Sequence, residues 1–486
     1  MSEIDVIVGI FCFYLLIITA LAIWSSKGSS DTAGFFIAGK KLPFWVVAFS
    51  ANATGESGWL LLGLTGMAYS VGLHALWVLL GEMIGIALCW LLIARRLKID
   101  ADRYDAITVA DYLESRFQDG RHILRIISVV IIVVMVLIYV AAQMIAAGKA
   151  FADFMQITYV HGVILGAVVT SLYTVIGGYK AVAYTDVLQG VLMLLALIVL
   201  PVVAFSEAGG VSAVIQGLGE ADPVLVNYFG EKGWSLAGVI AVASFMAIGL
   251  PFLGVPQVLV RFMSINDPAE TRKAAAISIS CLFVFLFGAI LIGLAGRVLF
   301  PGLADPELIM PTLSRELFPP VITGLLVVVL LAAIMSTVDS LLILLSSAIT
   351  RDLVQKILNP AIPDAQLARI GRVTTFVIGA GALAIALSEN RAIFWLVLFS
   401  WSGLGATFGP VIACSLLWPR VNLAGAAAGM LGGFLISVTW VVFIKERFYD
   451  MYEAIPGFIG GTILLIVVSL YSERRATQRA QASGAT

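Results

Sequence analysis

The chain has 486 residues, of which 60% are hydrophobic and 12% charged, with a mean hydropathy of +1.03. A soluble protein of this length carries about 25% charged residues, and the deficit here runs along the whole chain, which excludes a hidden soluble domain. The net charge of −1 gives no reason to expect a nucleic-acid partner. Cys12, Cys89, Cys281 and Cys414 each sit inside an apolar run without metal-type pairing, and the three histidines are not spaced as ligands. No nucleophile–base pair or P-loop is apparent, so an enzyme is not expected.

Crossing about 30 Å of hydrocarbon takes roughly 20 apolar residues. Candidate spans lie near 4–25, 43–70, 71–94, 126–152, 159–177, 184–206, 235–256, 274–298, 319–348, 370–388, 392–417, 422–444 and 454–472. The expected architecture is therefore an all-α integral membrane protein of about thirteen helices. The first run follows Glu3 and Asp5 rather than a basic segment, and it reads as a retained span rather than a signal peptide.

With the N-terminus outside and strict alternation, 22 of the 29 Lys and Arg residues fall on the inner side, among them Lys27, Arg95, Arg125, Arg261, Arg351 and Arg420. The outer side keeps Lys149, Lys232, Arg297, Arg315, Arg391, Lys445 and Arg447. That asymmetry predicts a multi-pass protein of the inner (cytoplasmic) membrane, N-terminus outside and C-terminus cytoplasmic. Between the third and fourth spans, ITVADYLESRF reads as a short amphipathic helix on the cytoplasmic face, serving as a structural loop or as part of a gate.

Two spans carry breakers. The second contains SANATGESG, Ser50 to Gly58, and the seventh IGLPFLGVP, Ile248 to Pro256. Proline removes a backbone donor and clashes with the preceding turn. Unwound backbone survives in a membrane only where it faces protein or a water-filled cavity, and there freed carbonyls can hold a cation. A proline kink, or tight packing through small residues, is the plainer alternative. The breaks lie five spans apart, so the two helices run in opposite directions, as in an inverted repeat of spans two to six and seven to eleven.

Four carboxylates fall inside or at the ends of spans: Glu56, Glu82, Asp186 and Asp339. The mid-span regions hold almost no Lys or Arg to pair with them, so a cation or a proton is the expected compensation. Ser336, Asp339 and Ser340 share one helix face, an oxygen set suited to Na+. Alternatively the hydroxyls bond back to their own helix. Glu82 has no such neighbours, and a structural hydrogen bond is the expectation for it.

At this point specific strings accumulate: SGWLLLGLTG (57–66), HILRIIS (122–128), IGGYKAVAYTDVLQ (176–189), PQVLVRFM (256–263), MSTVDS (335–340), SSAITRDL (346–353), GATFGPVI (405–412) and GAAAGM (425–430). In this order, nearly end to end, they resemble the sodium:solute symporter family and, within it, the sodium/proline symporters. The resemblance implies a LeuT-like 5+5 inverted-repeat fold with one extra span before the core and two after it. The divisions would be 1–42, 43–206 and 207–417 for the two repeats, and 418–486. It implies Na+-coupled symport of a small organic solute, with proline or a related amino acid first. Proton coupling, another solute such as a monocarboxylate, or a transporter-like sensor stand behind it. The implied partners are Na+, the solute and the bilayer, without an obligate protein partner.

Carried over by position, the resemblance implies a sodium site at Ala53, Glu56, Ala333, Ser336 and Thr337. It implies a second at Asp186, Ser336, Asp339 and Ser340, and a solute pocket with Trp59, Tyr139, Gln143, Ile248, Phe252 and Pro256. Two departures stand out. Close proline carriers have an Asp where this chain has Gly55, and the acid stands one residue on, at Glu56, turned by about 100° on a helix. They also carry Trp and Tyr where this chain has Ile248 and Phe252, a loss of two polar groups from the pocket.

Overall fold

A computed structural model describes residues 3–26, 32–387 and 393–482. Lys27 and Arg391, used in the charge count, lie outside the described residues. Every element among the described residues is helical, and the one strand-like contact among them is an isolated parallel bridge between Leu42 and Ile265. There Leu42 N–H donates to Ser264 O at 3.1 Å and Asn266 N–H to Leu42 O at 2.8 Å. This pair ties the start of the first broken helix to the end of the second.

Eleven stretches among the described residues are long and apolar enough to cross a membrane. The expected count is about thirteen, and the difference has a visible source. Phe44–Arg103 counts as one stretch of 60 residues. At 1.5 Å per residue it would extend about 90 Å, roughly three hydrocarbon thicknesses, so it cannot be a single pass. It is interrupted at Gly72, where φ is 62° and a Cβ would run into the backbone of Leu225. Likewise helix Tyr159–Glu207 contains a positive-φ break at Gly178, on either side of which lie the shorter apolar helix Tyr159–Val169 and the candidate span Gly178–Glu207.

Burial sorts the helices into centre and rim. In Pro320–Leu358 and Ile393–Leu417, 83% of the most apolar window is buried, against 22–28% in Ile4–Ser25, Leu423–Arg447 and Ala454–Arg475. The rim helices present large apolar side chains outward, such as Phe13, Leu16 and Val442, as lipid contact requires. The central helices are where polar groups must find protein partners.

Both expected breaks are present. Phe44–Gly58 is interrupted at Ser57, whose φ of 47° and ψ of −172° leave the helical region. A non-glycine residue there costs of order 1–3 kcal/mol and persists only where surrounding contacts impose it. Leu236–Met246 gives way to a 3-10 segment, Ala247–Leu253, before helix Pro256–Ser264 restarts with its proline in the first turn, where no N–H is missed.

The third-span helix Leu76–Leu88 meets the end of Leu236–Met246 and this 3-10 segment at glycines. A Cβ on Gly81 would strike Met246, one on Gly85 would strike the Gly249 carbonyl, and one on Gly249 would strike the Gly81 carbonyl. Backbone therefore meets backbone between the two elements.

The amphipathic helix is present as Val109–Phe117, capped by Thr108 Oγ1, which accepts from Asp111 N–H at 2.9 Å. It is fastened by a buried ion cluster around Arg125. This guanidinium donates to Asp111 Oδ1 at 2.8 Å, Glu114 Oε2 at 2.6 Å and Asp352 Oδ1 at 2.5 Å. The helix is thereby joined both to the start of Ile123–Met155 and to the continuation of Pro320–Ser347.

Candidate functional site

The interrupted helix Phe44–Gly58 lies against helix Pro320–Ser347. At Ser57 its backbone leaves the helical path, and carbonyls just before the break are free for outside partners. Ser336 Oγ donates to Ala53 O at 2.9 Å and Thr337 Oγ1 donates to Thr54 O at 3.2 Å. Ser336 Oγ also reaches Ala333 O at 2.9 Å within its own helix. Ala53, Ala333, Ser336 and Thr337 are thus brought together as a cage of neutral oxygens, buried throughout. That donor set suits a hard monovalent cation. No cluster of three or more His, Cys, Asp or Glu able to hold a metal is present among the described residues; the cage consists of carbonyls and hydroxyls instead.

Glu56 is not part of this cage by its side chain. Its carbonyl accepts from the Trp59 N–H at the break. Its carboxyl is buried, with Oε2 lacking a hydrogen bond among the described residues, and its electrostatic neighbours are Glu82 and Tyr139. The displaced acid has Glu82 of the third span as its charged neighbour.

The second expected cluster is assembled, with an addition. Ser340 Oγ stands 2.9 Å from Thr54 Oγ1 and donates to Ser336 O at 2.8 Å. Asp186 Oδ2 accepts from Ser50 Oγ at 2.6 Å and more distantly from Thr54 Oγ1 at 3.4 Å. Asp339 is fully buried on the same helix, within electrostatic reach of the Tyr14 hydroxyl. The expectation that these acids lack a base is corrected by Arg261. Its Nη2 lies 3.1 Å from Asp186 Oδ2 and 2.5 Å from Ser340 Oγ, and its Nε 2.8 Å from Ser50 Oγ. Arg261 stands at the end of the helix that restarts after the second break, and its side chain turns into the bundle. A guanidinium therefore occupies the anionic side of the second cluster, which also borders a cavity lined by Tyr179, Gln257, Arg261, Ser340 and Ser347.

The expected solute residues converge on a side chain that the sequence did not single out, Trp401. Its Nε1 donates to Ile248 O at 3.2 Å, and its ring meets Phe252 edge-on at 5.1 Å and Tyr139 edge-on at 6.3 Å. Gln143 Oε1 accepts from Gly58 N–H at 3.0 Å, beside the Ser57 break. Trp59 stacks on Phe394 at 5.7 Å, covering one end of this region. Pro256 is buried at the restart of its helix, without a polar role. Three polar atoms here are buried without a hydrogen bond among the described residues: Trp59 Nε1, Tyr139 Oη and Gln143 Nε2. Tyr139 Oη lies near the Ser57 hydroxyl but without good bonding geometry. Buried polar atoms are normally satisfied, and these three are exceptions.

The model of the sodium:solute symporter family matches residues 35–433. The chain belongs to this family. It is 36% identical to the osmoregulated proline transporter OpuE of Bacillus subtilis, over 98% of this chain and 96% of that one. It is 35% identical to a sodium/proline symporter of Staphylococcus aureus over 95% and 92%, and 36% identical to the high-affinity proline transporter PutP of Bacillus subtilis over 92% and 94%. Among solved structures, a Na+-coupled sialic acid symporter in a substrate-bound outward-open state superposes with a TM-score of 0.78 at 19% identity, covering 95% of this chain and 98% of that one. Mhp1, a nucleobase-cation-symport-1 family transporter in a closed conformation, gives 0.60 at 13% identity, over 92% and 96%. These two likenesses establish the LeuT-like fold. The chain is a multi-pass membrane transporter, not an enzyme, and Na+ is its coupling ion.

Proposed function

We propose that this symporter carries proline or a closely related amino acid together with Na+. The support for the solute is the near-full-length similarity to proline transporters of two bacteria. The support for the ion's place is the pair of hydroxyls, Ser336 and Thr337, set against the Ala53 and Thr54 carbonyls at the break.

In this reading Na+ binds among Ala53 O, Ala333 O, Ser336 Oγ and Thr337 Oγ1, bridging the broken helix and Pro320–Ser347. The two hydroxyls rotate to present lone pairs in place of protons. Solute binds on the other side of the break, against Tyr139, Gln143, Trp59, Phe252 and the Ile248 backbone. Both ligands lean on the same broken helix around Ser57, so each favours the other's binding state, and the effect is reciprocal. Asp186, Asp339, Ser336 and Ser340 form a second cation locus, at which Arg261 supplies the positive charge when Na+ does not. The positive-charge asymmetry orients the chain with its N-terminus outside and C-terminus inside. Residues 43–206 and 207–417 are the inverted repeats.

The test is thermal stabilisation of the purified protein by L-proline, in Na+ and in K+ at equal ionic strength. A ligand that binds the folded state raises its stability as RT ln(1 + [L]/Kd). Stabilisation by proline in Na+ alone is the expected result. A Na+-dependent shift with a different solute would replace proline and keep the mechanism, and shifts indifferent to Na+ would overturn it.

A further inference from the structure

Glu82 is the buried acid for which neither the sodium cage nor the Arg261 cluster has a use. It lies on helix Leu76–Leu88, and its backbone is pressed against the 3-10 segment of the pocket: a Cβ on Gly249 would stand 3.0 Å from Glu82 Cα. That glycine is flanked by Ile248, whose carbonyl holds Trp401, and by the turn leading to Phe252. Glu82 is 3% exposed, and its Oε2 has no hydrogen bond among the described residues. The structural hydrogen bond expected from the sequence is not present at that oxygen.

Glu82 is not alone. Glu56 is close enough to repel it, and both act electrostatically on the Tyr139 ring hydroxyl. Neither carboxyl forms an ion pair with a Lys, Arg or His among the described residues, and one oxygen of each lacks a hydrogen bond. Tyr139 Oη, Gln143 Nε2 and Trp59 Nε1 are open donors; Gln143 holds Gly58 N–H and Trp59 N–H donates to Glu56 O at the break. Two buried acids thus carry unmet acceptors, with the unmet Tyr139 hydroxyl as their neighbour. Acids of one sign, buried together without a base, call for a proton or for a cation from outside the chain. The sodium cage is built elsewhere, from neutral oxygens. A cation able to take the proton's place is carried by the solute itself.

We propose that Glu82, with Glu56 beside it, receives the ammonium group of the transported solute and determines that the solute is an amine. The inference rests on the solute pocket proposed above, and it assigns the amine as the recognised end, with the donors of Tyr139, Gln143 and Trp59 left for the solute's other polar atoms.

The experiment uses the full chain, purified, in Na+, with three probes of similar shape: L-proline, L-prolinamide, which keeps the amine and loses the carboxylate, and N-acetyl-L-proline, which loses the amine's charge. Thermal stabilisation is expected from proline and prolinamide and not from the acetylated probe. Glu82→Gln is expected to raise the concentration of either amine needed for half-maximal stabilisation by about tenfold or more, the scale of a lost charge-assisted hydrogen bond, with the response to Na+ alone retained. Glu82→Asp should recover part of the loss. Stabilisation by N-acetyl-L-proline equal to that by proline would overturn the proposal, and so would a wild-type amine response in Glu82→Gln. If Glu82→Gln does not fold, the probe order in the wild type decides. If both proline-shaped amines fail on the wild type, the proline assignment falls. Pyrrolidine and methylamine then decide on Glu82, stabilisation supporting the ammonium site and its absence overturning it.

Discussion

Arg261 lies across Asp186. Its Nη2 is 3.1 Å from the carboxylate, and the same nitrogen is 2.5 Å from the Ser340 hydroxyl. Both side chains are essentially excluded from solvent. The guanidinium thus stands where a second Na+ would find one of its two carboxylates.

Removing one partner of such a pair leaves an uncompensated buried charge, at a cost of about 3–5 kcal/mol. Arg261→Ala should therefore unfold at markedly lower temperature in K+, and Na+ should restore a large part of the loss by entering beside Asp186. An equal loss in Na+ and K+ would show that Na+ does not take the arginine's place. Asp186→Asn combined with Arg261→Ala should lose both the penalty and the Na+ rescue.

Ser336→Ala and Thr337→Ala each remove one hydroxyl oxygen from the cage and leave the Ala53 or Thr54 carbonyl without its partner. The Na+ concentration for half-maximal stabilisation or uptake should rise about tenfold, the equivalent of roughly 1.4 kcal/mol of lost coordination. Sodium dependence identical to wild type in both variants would remove these residues from the site.

Acid should loosen the Val109–Phe117 helix through Glu114. Burial pushes this carboxyl up, but hydrogen bonds from Arg125 and His122 outweigh it and hold the group below its ordinary value of 4.5. A folded-state value below the unfolded one means that the stabilisation is complete above the unfolded value and is lost as pH falls through the folded one. Glu114→Gln should be less stable than wild type at neutral pH. The gap should close on acidification, and pH-dependent melting curves measure it.

Glu307 joins two helices at another place. Its Oε2 pairs with Lys149 Nζ at 2.5 Å, and its Oε1 accepts from Phe394 N–H at 3.0 Å. The first turn of helix Ile393–Leu417 has N–H groups without helical partners, and Glu307 supplies one from outside. Glu307→Gln should speed hydrogen exchange at Ile393 and Phe394 while leaving helix Pro320–Ser347 protected. Unchanged exchange at Phe394 would show that the contact does not hold this helix end.

Much of the fold was legible because hydrocarbon permits few solutions. Long apolar runs mark the spans, and prolines and small polar residues at Ser50–Gly58 and Ile248–Pro256 mark the breaks. Ser336 and Ser340 could be placed on one face from spacing alone. Arg261 was not legible as a partner of Asp186. It is 75 residues away in sequence, and its position near a span end suggested a side chain reaching outward to water rather than inward. Trp401 carries no breaker or charge to single it out, and only the packing of Phe252 and Tyr139 reveals it. Gly81, Gly85 and Gly249 look like ordinary membrane glycines until their backbones are seen to touch. The division between spans near 70 and 71 was legible as well, and Gly72 stands there with a positive φ.

The most direct test of the account is uptake of labelled L-proline into proteoliposomes containing the purified protein, under an inward Na+ gradient and under an equal K+ gradient. Accumulation above the equilibrium level in Na+, absent in K+ and weakened in Ser336→Ala at limiting Na+, is the predicted result. Uptake equal under both gradients, or none with any amino acid tested in Na+, would contradict it.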